Sequence, residues 1–175
     1  MLEETLRILR QGFYEKEGRR IPLKLSAKER EASRVYLPEE IRQISQGKAV
    51  SHVHVIGRCR YGCENTDSFS MARDMAACLP LPESGKDAPR VLVLNFANPV
   101  HPGGGVRHGS RAQEEDLCRK SSLLPALEGP KARAYYEYNR GLHTHLGSDA
   151  IVITPQVEII RDENGTLLDD SVTRC

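Results

Sequence analysis

With 175 residues, 25 Lys and Arg against 24 Asp and Glu, and no Trp, the chain has room for one domain with a substantial core but carries a net charge of only +1. That balance excludes a broad electrostatic hold on nucleic acid or on an anionic membrane, and an aromatic content of 5% leaves few platforms for stacking single strands. The cysteines are odd in number and irregularly spaced, and the N-terminus is charged early, without a long apolar core; together these predict reduced thiols in a cytoplasmic, intracellular protein with no transmembrane span.

In chain order, Leu2, Leu6 and Leu9 recur near helical spacing and predict an amphipathic helix over residues 2–11. Gly12 and Gly18 bracket a polar connection. Ser26 with Glu29 three positions later is a capping box that opens a short helix. Pro38, followed by Glu39 and Glu40, opens another. Residues 1–48 thus read as a helical segment packed on a core of residues 49–175, within one structural domain. Residues 50–56 alternate as a strand does, with His52 and His54 on one face. No third ligand accompanies these histidines or the pair Cys59 and Cys63, so no metal is expected.

Thr66 to Leu79 predicts a helix with an apolar stripe in which Met71 and Met75 fill core space. Pro80, Pro82, Gly85 and Pro89 make a surface loop. Val91 to Ala97, apolar at nearly every position, predicts a strand covered on both faces. A helix follows from Ser110 to Leu127, with Ser110 as N-cap of the pattern Ser-x-x-Gln, and a further helix covers Lys131 to Asn139. Ala150 to Thr154 reads as a strand, Val157 to Arg161 as its extension, and Asp162 to Gly165 as a hairpin tip. The fold class is α/β, layered, and ligands in such folds sit outside the carboxyl ends of strands.

Gly103-Gly104-Gly105 occupies that place, between the apolar run and a helix start, and three consecutive glycines let backbone approach a ligand closely. The loop lacks the Gly-Lys-Ser/Thr of a P-loop and the G-x-G-x-x-G spacing of a nicotinamide site. Glu114 and Glu115 complement the helix dipole on a plain reading. As adjacent helical residues they point about 100° apart, so if both act they must divide the labour. His101 and His108 read as solvated loop residues, and Cys118 as packed on the inner face of the helix.

Gly103-Gly104-Gly105, seven residues, then Gln113-Glu114-Glu115 resembles the signature of poly(ADP-ribose) glycohydrolases. Asn95-Phe96-Ala97-Asn98-Pro99, Ser121-Ser122-Leu123-Leu124-Pro125, Tyr135-Tyr136-Glu137-Tyr138-Asn139-Arg140 and Ile153-Thr154-Pro155-Gln156-Val157 are similar to the shorter, bacterial-type branch. The resemblance implies a macrodomain, a three-layer α/β/α fold around a mixed central sheet. It implies hydrolysis of ribose–ribose O-glycosidic bonds with release of ADP-ribose and no cofactor. Glu115 would be the catalytic acid–base and Glu114 would hold ribose hydroxyls. Gly103, Gly104, Gly105 and Val106 would pack against the ribose and diphosphate, Asn98 would contact ribose, and Gln113 would support the carboxylates and cap the helix. Poly(ADP-ribose), ADP-ribose and ADP-ribosylated proteins are the implied partners, with neither membrane nor sequence-specific nucleic acid. Family domains also continue past the position of Cys175 with further strands, so the C-terminal strands are expected to be missing here. The alternative reading is a non-catalytic ADP-ribose-binding module or an inactive half-domain.

The implied chemistry is a proton given by Glu115 to the departing hydroxyl, followed by activation of water by the resulting carboxylate. A helix N-terminus favours the ionised acid, whereas desolvation by bound substrate, nearby phosphates and the charge on Glu114 favour the protonated one.

Overall fold

The computed structural model describes residues 1–47, 62–79, 91–144 and 146–172. The predicted strand at 50–56 with His52 and His54, Cys59, the loop from Pro80 to Pro89, His145 and Cys175 lie outside the described residues. Among those described, helices and strands are mixed, as the α/β class requires, and strands pair as three two-stranded antiparallel ladders.

Helix α1 (Leu2–Gln11) forms as predicted and buries Leu6, Ile8 and Leu9. Gly12, at φ +79°, ends it and donates its N–H to the Ile8 carbonyl. The predicted polar connection is instead a hairpin of β1 (Phe13–Lys16) and β2 (Arg19–Pro22). Its turn places Glu17 and Gly18 both at positive φ, the geometry that suits the twist of a two-residue hairpin. The pattern was hard to see because Glu-Gly is a weaker turn signal than Asn-Gly, and because the buried face consists only of Tyr14 and Ile21.

Ser26 and Glu29 make both bonds of the capping box at the start of α2 (Ala27–Arg30). An unpredicted strand, β3 (Arg34–Tyr36), precedes α3 (Pro38–Gly47), which begins at Pro38 as expected. Helix α4 (Ser68–Cys78) is capped by Asp67, whose carboxylate accepts from the Phe69 and Ser70 N–H groups. Its buried stripe is Phe69, Ala72 and Ala76, which turns Met75 outward. Met75 is therefore not core filler. With Met71 it lines a groove beside Leu92, Leu94 and Phe96.

The run Val91–Ala97 is not a strand covered on both faces. It forms no ladder with any described strand, and Leu92, Leu94 and Phe96 are 92%, 70% and 71% exposed. Val91 is buried and Val93 packs partly against the core, so side chains still alternate as extended backbone dictates. The exposed side chains border the groove that Met71 and Met75 line.

The long helix expected from Ser110 to Leu127 is two helices, α5 (Gln113–Lys120) and α6 (Leu123–Glu128). Ser121 breaks it. Its backbone is fully extended and bridges to Ile159, while its hydroxyl donates to the Leu117 carbonyl and accepts from the Leu123 N–H. A tertiary pairing thus outcompetes helix continuation at a residue of modest helix propensity. Helix α7 (Arg133–Gly141) follows. Strand β4 (Ile151–Ile153) pairs with β3, Val152 opposite Val35, and β5 (Ile159–Arg161) forms the predicted hairpin with β6 (Leu167–Val172).

Phe69, Val106, Leu117, Leu124 and Ile159 belong to or pack against the main core beneath the glycine loop. Glu158, fully buried, ties distant segments to it. Its carboxylate accepts from the Lys24 and Leu25 N–H groups and from the Ser171 hydroxyl, with the Arg30 guanidinium 3.8 Å away. Among the described residues no helix is long and apolar enough to cross a membrane.

Candidate active site

The site is assembled by three neighbouring stretches of chain: residues 94–98, the glycine loop, and the first turn of α5. Ser110 is not the N-cap of that helix. Ala112 is, and no side chain caps it. The Ser110 side chain instead fills the space over Gly105, where any Cβ would collide with it. Gln113 also leaves the helix end. Its Nε2 donates to the Leu94 carbonyl at 2.7 Å and its Oε1 accepts from the Phe96 N–H at 2.9 Å. That one side chain pins the 94–96 backbone to α5. Gln113 thus supports the carboxylates only through that segment.

Glu114 and Glu115 are both buried at the start of α5. Glu114 Oε2 accepts from the Asn98 N–H at 2.8 Å and its Oε1 from Asn95 Nδ2 at 3.3 Å. Glu115 Oε1 accepts from the Gly105 N–H at 2.9 Å, but its Oε2 is buried with no partner among the described residues. The two acids therefore differ: one is held at both oxygens, the other at only one.

Burial pushes the Glu114 carboxyl above its ordinary value of 4.5. The donors from Asn98 and Asn95 pull it down, and the charge of Glu115 adds to the upward push. The folded state thus keeps this proton to higher pH than the unfolded chain does. Its stabilising effect is fully present below the unfolded pKa and is lost as pH rises through the folded one. In urea unfolding between about pH 4 and 7, the wild type is expected to lose stability relative to Glu114→Gln as pH rises, and parallel curves would refute that sign.

The glycines serve this arrangement directly. Gly103 and Gly104 sit at φ +68° and +55°. A Cβ at Gly104 would lie 2.6 Å from Glu115 Oε1, and one at Gly103 would lie 2.5 Å from Leu124 Cδ1 and 3.3 Å from Cys118 Sγ. The Gly104 N–H goes to the His101 carbonyl and the Gly105 N–H to Glu115. The anions cradled by this loop are thus the protein's own carboxylates. Val106 turns into the core, where it anchors the loop. Cys118 is fully buried beneath, and burial pushes its thiol up, which makes it inert packing.

Residues 2–162 match the family model described as microbial-type PARG, catalytic domain. The chain belongs to this family. Among curated proteins no relative matches. A poly(ADP-ribose) glycohydrolase (PARG) of Thermomonospora curvata superposes with a TM-score of 0.77 at 28% identity, over 98% of this chain and 59% of its own. The same enzyme bound to the inhibitor ADP-HPD gives 0.79, also at 28% identity, over 98% and 58%. The PARG of Deinococcus radiodurans in complex with ADP-ribose gives 0.69 at 33% identity, over 87% and 57%. The chain thus spans less than three fifths of the length of these solved PARG structures. The α/β architecture is theirs.

Of the site residues expected from the PARG signature, Glu114, Glu115, Gly103, Gly104, Gly105 and the backbone of Asn98 meet in one cluster. The Asn98 side-chain oxygen Oδ1 is used within the loop, accepting from the Val100 and His101 N–H groups. Asn95 was missed as a partner of Glu114. Its signal was present: it is the one polar residue inside the apolar run from Val91 to Ala97.

Proposed function

We propose that this chain hydrolyses ribose–ribose O-glycosidic bonds of poly(ADP-ribose) and releases ADP-ribose, with Glu115 as catalytic acid–base and Glu114 as the group that holds ribose hydroxyls. The observation that carries the reading is the asymmetry of the two acids. Glu115 is fixed through Oε1 by the Gly105 N–H, and its Oε2 is held by no group among the described residues. A proton on Oε2 passes to the departing ribose oxygen as positive charge develops at the anomeric carbon, and the carboxylate left behind activates water. Glu114 retains lone pairs for ligand hydroxyls beyond those that Asn95 and Asn98 engage. The solved relatives described as PARG in complex with ADP-ribose or ADP-HPD support the ligand class.

Poly(ADP-ribose) carried on modified proteins is the proposed physiological substrate. A cytoplasmic setting is proposed with it, supported by free thiols at Cys63, Cys78 and Cys118. The test is incubation of the chain with labelled poly(ADP-ribose). Free ADP-ribose is the expected product. A melting-temperature shift with ADP-ribose and no release would replace the hydrolase with a binding module.

Gly104→Ala probes the loop in the same assay. Positive φ costs an alanine about 1–2 kcal/mol, and the new methyl displaces Glu115 Oε1. Release is expected to fall about 100-fold, as for an acid displaced by roughly an ångström. Activity within a few-fold of wild type would show that the close approach at Gly104 does not position Glu115.

A further inference from the structure

Three buried polar side-chain atoms have no hydrogen-bond partner among the described residues: Asn95 Oδ1, Glu115 Oε2 and the Tyr136 hydroxyl. Asn95 belongs to the acidic cluster, because its Nδ2 donates to Glu114 Oε1 at 3.3 Å. The NH2 end of the amide thus faces Glu114, and the carbonyl end turns away from it. The direction of the side chain is set by the backbone. Gln113 clamps the residues on either side, Leu94 and Phe96, and these turn their own side chains to solvent, which by alternation sends Asn95 inward.

The result is a cluster rich in acceptors and short of donors. Glu115 Oε2 and Asn95 Oδ1 both await a donor, and the carboxylate of Glu114 lies between the two residues' contacts. Such a place repels a phosphate and suits a sugar, whose vicinal hydroxyls donate. Buried acceptors left unmet cost free energy and mark functional sites in native proteins.

We propose that Asn95 is a substrate-positioning residue: Oδ1 accepts a hydroxyl of the ribose at the scissile bond while Nδ2 holds Glu114. The inference rests on the reading of the site as one for ADP-ribose units. It adds a residue to that site and a reason for the polar break in the apolar run.

Calorimetric titration of the wild-type chain and of Asn95→Ala is the test, with ADP-ribose and with analogues that lack one terminal-ribose hydroxyl. Wild type is expected to lose about 5- to 30-fold in affinity for one of these analogues, the range of a single hydrogen bond. Asn95→Ala is expected to bind ADP-ribose more weakly by a similar factor and to show no further loss with that analogue. Asn95→Asp keeps an acceptor and is expected to retain the discrimination, which guards against a folding defect in the alanine variant. Losses that multiply, or an alanine variant that binds as wild type does, would overturn the proposal. The readout is binding, so the two readings fail separately. Coupling without release of ADP-ribose leaves Asn95 in its role and removes the hydrolase, release without coupling does the reverse, and no binding at all removes both.

Discussion

Glu115→Gln is expected to lower release of ADP-ribose from poly(ADP-ribose) by about 10²- to 10⁴-fold, the range contributed by a positioned general acid–base. The substitution is close to isosteric. Its amide oxygen can still accept the Gly105 N–H that holds Glu115 Oε1 at 2.9 Å. Its NH2 then stands where Oε2 stands now, at the buried position with no partner among the described residues. An amide there neither delivers a proton to the leaving oxygen nor takes one from water. The loop keeps its glycine geometry, so the melting temperature and the affinity for ADP-ribose are expected to stay near those of wild type. The decisive measurement is single-turnover release beside calorimetric binding. A variant that releases product within tenfold of wild type would remove Glu115 from the chemistry.

The second large effect concerns stability. Glu158→Ala removes a fully buried carboxylate that accepts from Lys24 N at 2.6 Å, Ser171 Oγ at 2.6 Å and Leu25 N at 3.2 Å, and that faces Arg30 at 3.8 Å. Arg30 is itself buried. Burial lowers its pKa, Glu158 opposes that shift, and its remaining bonds go to the Leu9 and Leu25 carbonyls. Deleting one partner of such a pair leaves an uncompensated buried charge, and here also two backbone donors and a hydroxyl. The expected loss is about 3–5 kcal/mol, or roughly 10 °C in melting temperature for a domain of this size. Glu158→Gln keeps one acceptor and should lose less. A melting temperature within about 2 °C of wild type would show that solvent reaches and compensates these groups.

Local signals in the chain are legible wherever neighbours in sequence settle the structure. Ser26 and Glu29 satisfy each other across three residues, Gly12 ends α1 because it tolerates positive φ, and Asp162 folds the tip between β5 and β6 by accepting from Asn164 and Thr166. The carboxylate pair and the glycines were legible for the same reason: they lie within one short stretch whose composition has few other uses.

What escaped depends on partners far along the chain. Strand β3 exists because β4, more than a hundred residues later, lies beside it. Ser121 leaves helical geometry because Ile159 offers a bridge, and Ser110 loses its capping role because the helix starts nearer Gln113. The pattern Ser-x-x-Gln looked like a cap, yet the Gln side chain satisfies the Leu94 and Phe96 backbone instead.

The deepest division runs through the site itself. Residue types and spacing were enough to name Glu114 and Glu115 as an acidic pair at a helix start beside a close-approach loop. They could not rank the two, because both are glutamates in the same turn. The fold separates them by their donors: among the described residues Glu114 is held at both oxygens, by Asn95 and Asn98, and Glu115 at one, by Gly105. Those donors come from residues 95–98 and from the glycine loop, and only folding brings them to the first turn of α5.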